Sequence, residues 1–386
     1  MKLLFVHGAE RLKEDNDGNF YTDGSYTQEV WNRYLSISKR LTVIFRKEHK
    51  IYDPDYAKER FQLFDKSKIN YVEIPDVTSS YASFFSFKTR LEINKIIEKA
   101  VLECDYLIAR LPSSAGYAAI QYAKKYKKPY LVEVVGCILD TLWNHSYKGK
   151  LLAIHRYHIM KKFVKDAPYA LYVSEEFLQH RYPCSGRSIG CSDVILPPLC
   201  DTMLERRLNK IYQMSHSKTI VLGTAAAVNV KYKGQEYVIK AISKLNKEGY
   251  NFEYHLVGGG DNTYLKNVAK KYNVVDKVNF YGSIPHAQVF EFMKNIDIYI
   301  QPSNAESHGR VIIEAMSTAC PIIGSSTGGI PELVSPEFVF KRKDVNDLIV
   351  KIKKMTKEKG LLEAKRNFEK AKEFDKTVLD RKRNKF

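Results

Sequence analysis

Glu306 and Glu314, with seven residues between them, lie in the stretch QPSNAESHGRVIIEAMSTACPIIGSSTGGIPELV, residues 301–334. The preceding run Ile296 to Ile300 alternates and is rich in β-branched side chains, so it reads as a buried strand that Gln301-Pro302-Ser303-Asn304 stops. From Gly309 onward Val311, Ile312, Ala315, Met316 and Ala319 recur at helical spacing, which predicts a helix from near Gly309 that ends before Pro321. The two carboxylates therefore bracket a helix start. Its first N–H groups have no intrahelical partner and lie at the positive end of the helix dipole, a combination that suits a pyrophosphate. Arg310 adds a formal charge there. Side chains in a helix tilt toward its N-terminus, so Glu314 in the second turn reaches back toward the same place, where a vicinal diol such as a ribose is a natural partner. Glu306, in the loop, is placed to accept hydrogen bonds from hydroxyls of an attached sugar. The plain alternative is a strand-loop-helix unit with solvated acids; the Gly-rich turns and second helix-start signal that follow weigh against it.

The elements around this stretch repeat a βα pattern. In the first half, strands are predicted at Leu3 to Val6, Leu41 to Phe45, Tyr106 to Ala109, Tyr130 to Val135 and around Tyr169 to Val173. Helices are predicted at Tyr26 to Arg40, Phe84 to Leu102 and Ala115 to Tyr126, while Gly8 to Gly24 reads as a long acidic loop and Ile51 to Val77 fits neither pattern. The region Pro183 to Cys200, rich in Gly, Ser, Pro and Cys, reads as a linker, followed by a helix at Thr202 to Met214. The pattern then restarts with strand Thr219 to Gly223, helix Gln235 to Glu248, strand Phe252 to Val257, helix Thr263 to Tyr272 and strand Val278 to Tyr281. Repeated βα units imply parallel sheets covered on both faces. The expectation is an α/β protein of two doubly wound, Rossmann-like domains, 1–200 and 201–360, with the helix 360–386 packing back on the first. Ligands of such sheets bind at the carboxyl ends of strands, so a central cleft between the two sheets is the expected active site.

Glu306-Ser307-His308-Gly309 followed after four residues by Glu314-Ala315-Met316 resembles the signature of retaining GT-B glycosyltransferases, specifically the large family-four group. Pro321 to Ser325 and Gly328-Gly329-Ile330-Pro331-Glu332-Leu333-Val334 are similar to that family as well. The resemblance implies that Glu306 contacts the donor sugar, that Glu314 contacts the ribose, and that the amides of Gly309 and Arg310 bind the diphosphate. Lys233-Gly234 resembles the family's Lys-Gly pair, whose lysine contacts the donor phosphates and would offset charge on the departing nucleotide. Gly282-Ser283-Ile284-Pro285 looks like the family's nucleobase segment, where the backbone of Ile284 would read the base edge. Gly24 stands where relatives carry a loop glycine that approaches phosphate or acceptor. Three positions depart from the pattern. His308, in the donor-sugar pocket, replaces a more usual aromatic or aliphatic residue. Ala227 stands where many relatives have an arginine, for which Lys231 is the available substitute. The region Glu133 to Asp140 at the end of strand Tyr130 to Val135, where some relatives have a histidine, has none, and Glu133 and Asp140 read as structural.

At 386 residues and 44% hydrophobic content the chain can bury the cores of two domains. Met1-Lys2 leads straight into a strand pattern and no apolar run reaches the roughly 20 residues that span a bilayer, so the expected location is the cytoplasm. Six cysteines without paired spacing suggest free thiols rather than zinc or disulfides, and no metal or other cofactor is predicted. The formal charge is +18, and residues 351–386 hold fourteen Lys or Arg against six Asp or Glu. Lys124-Lys125-Tyr126-Lys127-Lys128 and Lys161-Lys162-Phe163 add clusters that suit an anionic membrane surface as well as a solvated face. No nucleic-acid recognition motif accompanies them.

The resulting expectation is transfer of a sugar, with a UDP-sugar favoured as donor, to the hydroxyl of a glycan or lipid-linked glycan in bacterial surface polysaccharide biosynthesis. The alternatives are a sugar-nucleotide epimerase and a non-catalytic basic protein that binds a membrane surface.

Overall fold

The computed structural model describes residues 1–22, 26–76, 86–145, 147–214 and 219–386. Contacts divide the chain into two compact units, one of residues 1–138, 155–173 and 179–190 and the other of 139–154, 174–178 and 191–386. The C-terminal helices Lys357–Lys372 and Lys376–Lys385 belong to the second unit.

Strands of the first unit are β1 (Lys2–Asp15), β2 (Phe20–Thr22), β3 (Arg40–Tyr52), β4 (Gln62–Leu63), β5 (Ile69–Ile74), β6 (Tyr106–Leu111), β7 (Tyr130–Val134), β8 (Tyr169–Tyr172) and β9 (Arg187–Gly190). Parallel pairing gives the order β5-β3-β1-β6-β7-β8-β9. The residues Gly8 to Gly24, expected as a loop, are for the most part strand. β1 continues to Asp15 because β3 stays paired with it as far as Tyr52, and β2 folds back antiparallel on Lys13 and Glu14. Asp15 stabilises this corner by accepting from the N–H groups of Asp17 and Asn19 and from the Tyr21 hydroxyl. The unassigned segment Ile51 to Val77 supplies the end of β3, the helix Pro54–Arg60, β4 and β5. A central core of Phe5, Tyr26, Trp31 and Phe45 packs edge to face and stacked, with ring centroids 5.1 to 6.3 Å apart.

The second unit carries β10 (Ile220–Ala225), β11 (Phe252–Val257), β12 (Val278–Gly282), β13 (Ile298–Gln301), β14 (Ile322–Ser325) and β15 (Val339–Phe340). All pairs are parallel, in the order β12-β11-β10-β13-β14-β15. The order reverses between β10 and β13, and the crevice outside the carboxyl ends of those two strands is where doubly wound sheets hold ligands. Helices that follow the strands cover the sheet with apolar faces, as with Val238, Ile239, Ile242 and Leu245 of Gln235–Lys247. The six cysteines are free thiols. Among the described residues no helix is long and apolar enough to cross a membrane.

Candidate active site

The strand order places Lys233 and Glu306 together. Lys233 ends a short 3-10 turn, Lys231–Lys233, after β10, and Glu306 lies in the loop after β13. Gly234 has φ +75°, and a Cβ there would stand 2.1 Å from the Pro302 carbonyl oxygen, so only glycine lets the two loops close on each other. The Asn304 N–H donates to the Tyr232 carbonyl at 2.6 Å across the same seam. Lys233 Nζ then donates to Glu306 Oε2 at 3.0 Å. The Gln301 amide also donates to Glu306 Oε2, at 3.1 Å, and to Ser303 Oγ, at 2.9 Å, while its own oxygen accepts from the buried Tyr299 hydroxyl. A side-chain relay rooted in β13 thus fixes the first carboxylate. Burial and the charges of Glu306 and Glu314 push the Tyr299 hydroxyl well above its usual pKa, which keeps it a donor.

The helix of the signature runs Arg310–Ser317, and Gly309 enters it at φ +81°. The N–H groups at such a helix start lie outside the intrahelical ladder. Glu314 is buried, and its Oε1 shares a hydrogen bond with His286 Nε2 at 3.0 Å. That bond raises the imidazole pKa from its ordinary value, with burial and the Arg310 guanidinium opposing it. The Glu306-Ser307-His308 backbone rests on Gly328-Gly329: a Cβ on Gly328 would meet the Glu306 carbonyl oxygen at 1.6 Å, and one on Gly329 the Ser307 carbonyl oxygen at 2.7 Å. Glu332, in the same Gly-Gly-x-Pro-Glu segment, accepts from the N–H groups of Glu175 at 2.9 Å and Phe177 at 2.5 Å.

Lys233, Glu306 and the Gly309–Arg310 helix start are built on the loops that follow β10 and β13, Gln301 ends β13, and Glu314 lies on the helix Arg310–Ser317. His308 is buried, with Nε2 2.6 Å from Ser192 Oγ and its ring beside Phe374. Lys231 Nζ lies 4.6 Å from the Tyr264 ring centroid, a cation–π contact. Ile284 is half-buried in the loop between β12 and the helix His286–Asn295. Gly24 lies outside the described residues. His286, Gln301 and Tyr299 were not singled out from sequence; the position of Gln301 at a strand end is a local signal for it, and His286 has none.

The first unit holds a matching row. Arg110 and Glu133 pair near the carboxyl ends of β6 and β7, and His7 lies in β1 just past its pairing with β6, beside that sheet's own order reversal between β1 and β6. Glu133 accepts from the Tyr34 hydroxyl at 2.9 Å and lies 3.4 Å from Arg110 Nη1, and His7 Nδ1 is 2.7 Å from the Tyr26 hydroxyl.

The model of glycosyl transferases group 1 matches residues 215–374. Protein CapJ of Staphylococcus aureus is 34% identical over 380 residues, covering 95% of this chain and 90% of CapJ. The amylovoran biosynthesis glycosyltransferase AmsK of Erwinia amylovora is 27% identical over 198 residues, 47% of this chain and 46% of AmsK. Anabaena HepE, solved in complex with UDP, has the same fold at 16% identity, with a TM-score of 0.67 over 100% of this chain and 99% of HepE. The fold is GT-B and the protein is a glycosyltransferase. The chain belongs to glycosyl transferases group 1.

Proposed function

We propose that this protein transfers a sugar, with retention of anomeric configuration, from a UDP-sugar to a hydroxyl of a glycan or lipid-linked glycan in polysaccharide biosynthesis. The observation that carries the reading is the pairing of Lys233 with Glu306 beside the Gly309–Arg310 helix start at the sheet's order reversal. The names of AmsK and HepE support the product class and the nucleotide respectively.

In this reading the diphosphate sits on the amides of Gly309 and Arg310, and Lys233 turns from Glu306 toward it as the glycosidic bond breaks. The cation and helix end stabilise the leaving group, whose phosphate oxygen accepts the incoming hydroxyl's proton. Glu306 then hydrogen-bonds hydroxyls of the donor sugar, Glu314 holds the ribose diol, and the backbone of Ile284 reads the base edge. These cationic groups do the work that a divalent ion does elsewhere, so chelation by EDTA leaves the rate unchanged; a loss of activity restored by magnesium or manganese overturns that clause. The protein acts in the cytoplasm, on the inner membrane face.

A thermal-shift and hydrolysis screen across UDP-, GDP- and ADP-sugars tests the donor. One UDP-sugar should stabilise the protein and be slowly hydrolysed. Glu306→Ala should cut turnover about 100-fold or more, and Glu314→Ala should raise the donor KM about tenfold. Wild-type kinetics in both variants sink the site, and an epimerised nucleotide sugar with no free diphosphate indicates an epimerase instead.

A further inference from the structure

The helix Tyr147–Lys165 buries Gly149, Ala153, Met160 and Val164, a stripe of core contacts at helical spacing. Its first two turns carry a second apolar face that the fold leaves in solvent. Tyr147 is 86% exposed, Leu151 84% and Ile154 56%, at positions i, i+4 and i+7 of one face. Leu152 and, from the preceding helix Ile138–His145, Trp143 are about half exposed beside it. Scattered exposed apolar residues are ordinary on a protein surface, but five large ones within twelve positions form a patch that marks an interaction site.

The charge around the patch selects its partner. The 19-residue helix contains six Lys or Arg and no Asp or Glu. Lys150 Nζ lies 5.0 Å from the Tyr147 ring and 6.0 Å from the Trp143 ring, so a cation sits at the patch beside its two aromatic groups. A second copy of this chain would bring like charges together across a two-fold interface, with no acid on the helix to offset them. An apolar face edged by Lys, Tyr and Trp matches the boundary between acyl chains and anionic headgroups.

We propose that the face formed by Trp143, Tyr147, Leu151, Leu152 and Ile154 docks the protein on an anionic lipid bilayer. The inference deepens the membrane-face clause of the proposed function and rests on it for its context only. Leucine and isoleucine enter the headgroup region, and Lys148 and Lys150 reach back to lipid phosphates.

Vesicle flotation of the full chain decides it, with phosphatidylcholine alone compared with phosphatidylcholine containing phosphatidylglycerol. The wild type should float with the anionic vesicles only, and high salt should weaken the association. The double variant Leu151→Ser, Ile154→Ser should lose more than about tenfold in binding, and Lys148→Glu with Lys150→Glu should do likewise. Both should retain the wild-type circular dichroism and rate of donor hydrolysis. Wild-type protein that stays with the soluble fraction, or variants that float as well as wild type, overturn the inference. A wild-type dimer in sedimentation that the serine variant dissociates, with no lipid binding, assigns the face to a second copy. Donor hydrolysis is read separately, so failure of the glycosyltransferase reading is distinguishable from failure of the docking face.

Discussion

His308 is buried in the signature stretch, and its hydrogen-bond neighbour Ser192 lies 116 residues away. Burial depresses its pKa to about 4 from the ordinary 6.5, so the fold holds a neutral imidazole where an unfolded chain holds a protonated one. Between pH 6.5 and 4 the unfolded state binds the extra proton, and stability falls as pH falls through that window. At 1.36 kcal/mol per pKa unit the loss is on the order of 3 kcal/mol in all. The variant His308→Phe should show a shallower fall of Tm between pH 7 and 5 than wild type; equal slopes refute the assignment. His286 has the opposite sign. Its bond to Glu314 raises the pKa, so the pair's contribution is full below pH 6.5 and fades as pH rises through the raised value. Replacing Glu314 with Gln should lower the His286 titration midpoint in an NMR experiment, and an unmoved midpoint would show that the two side chains do not interact in solution.

At the scale of elements, Gly328 shows how one backbone position holds a carboxylate. Its φ is +56°, and a methyl group would drive into the Glu306 carbonyl. Gly328→Ala should cost about 2 kcal/mol or more from the backbone alone and should reduce donor hydrolysis by displacing Glu306. Urea denaturation measures the first and the hydrolysis rate the second; a variant matching wild type in both contradicts the packing. Helices expected from the sequence lie within a few residues of their signals, as with Gln235–Lys247 and Arg310–Ser317, because apolar periodicity is a local property. The extension of β1 to Asp15 was not legible, since its residues carry no alternation and become strand only by pairing with β2 and β3. The sequence alone likewise assigns no element to residues 138–165, which form the helices Ile138–His145 and Tyr147–Lys165, the second with apolar residues on two faces.

Across the whole second unit, one buried cation ties distant elements together. Arg207, on the helix Asp201–Tyr212, donates to the carbonyls of Met293 and Ile296 at 2.6 Å and lies 3.4 Å from that of Thr318. These carbonyls close two helices that flank β13, so the segment following the linker is clamped to the sheet that carries the site. Arg207→Met should destabilise the protein by about 3 kcal/mol, because the Met293 carbonyl loses its guanidinium donor and the Ile296 carbonyl keeps only Lys210. A midpoint of urea unfolding within error of wild type counts against the clamp.

The sequence by itself determined the alternation of strands and helices, the restart near residue 219, and the placing of Glu306 and Glu314 on either side of a helix start at Gly309. Periodicity, turn glycines and short spacing carry those, and each acts over a few residues. Only the tertiary structure decided that Lys233 meets Glu306 across 73 positions, that Gln301 orients the same carboxylate, and that His286 reaches Glu314. It also decided which of two apolar faces of the helix Tyr147–Lys165 remains in solvent. Those outcomes depend on strand order and loop closure, where free energy comes from contacts between segments far apart in the chain and leaves no mark on either segment alone.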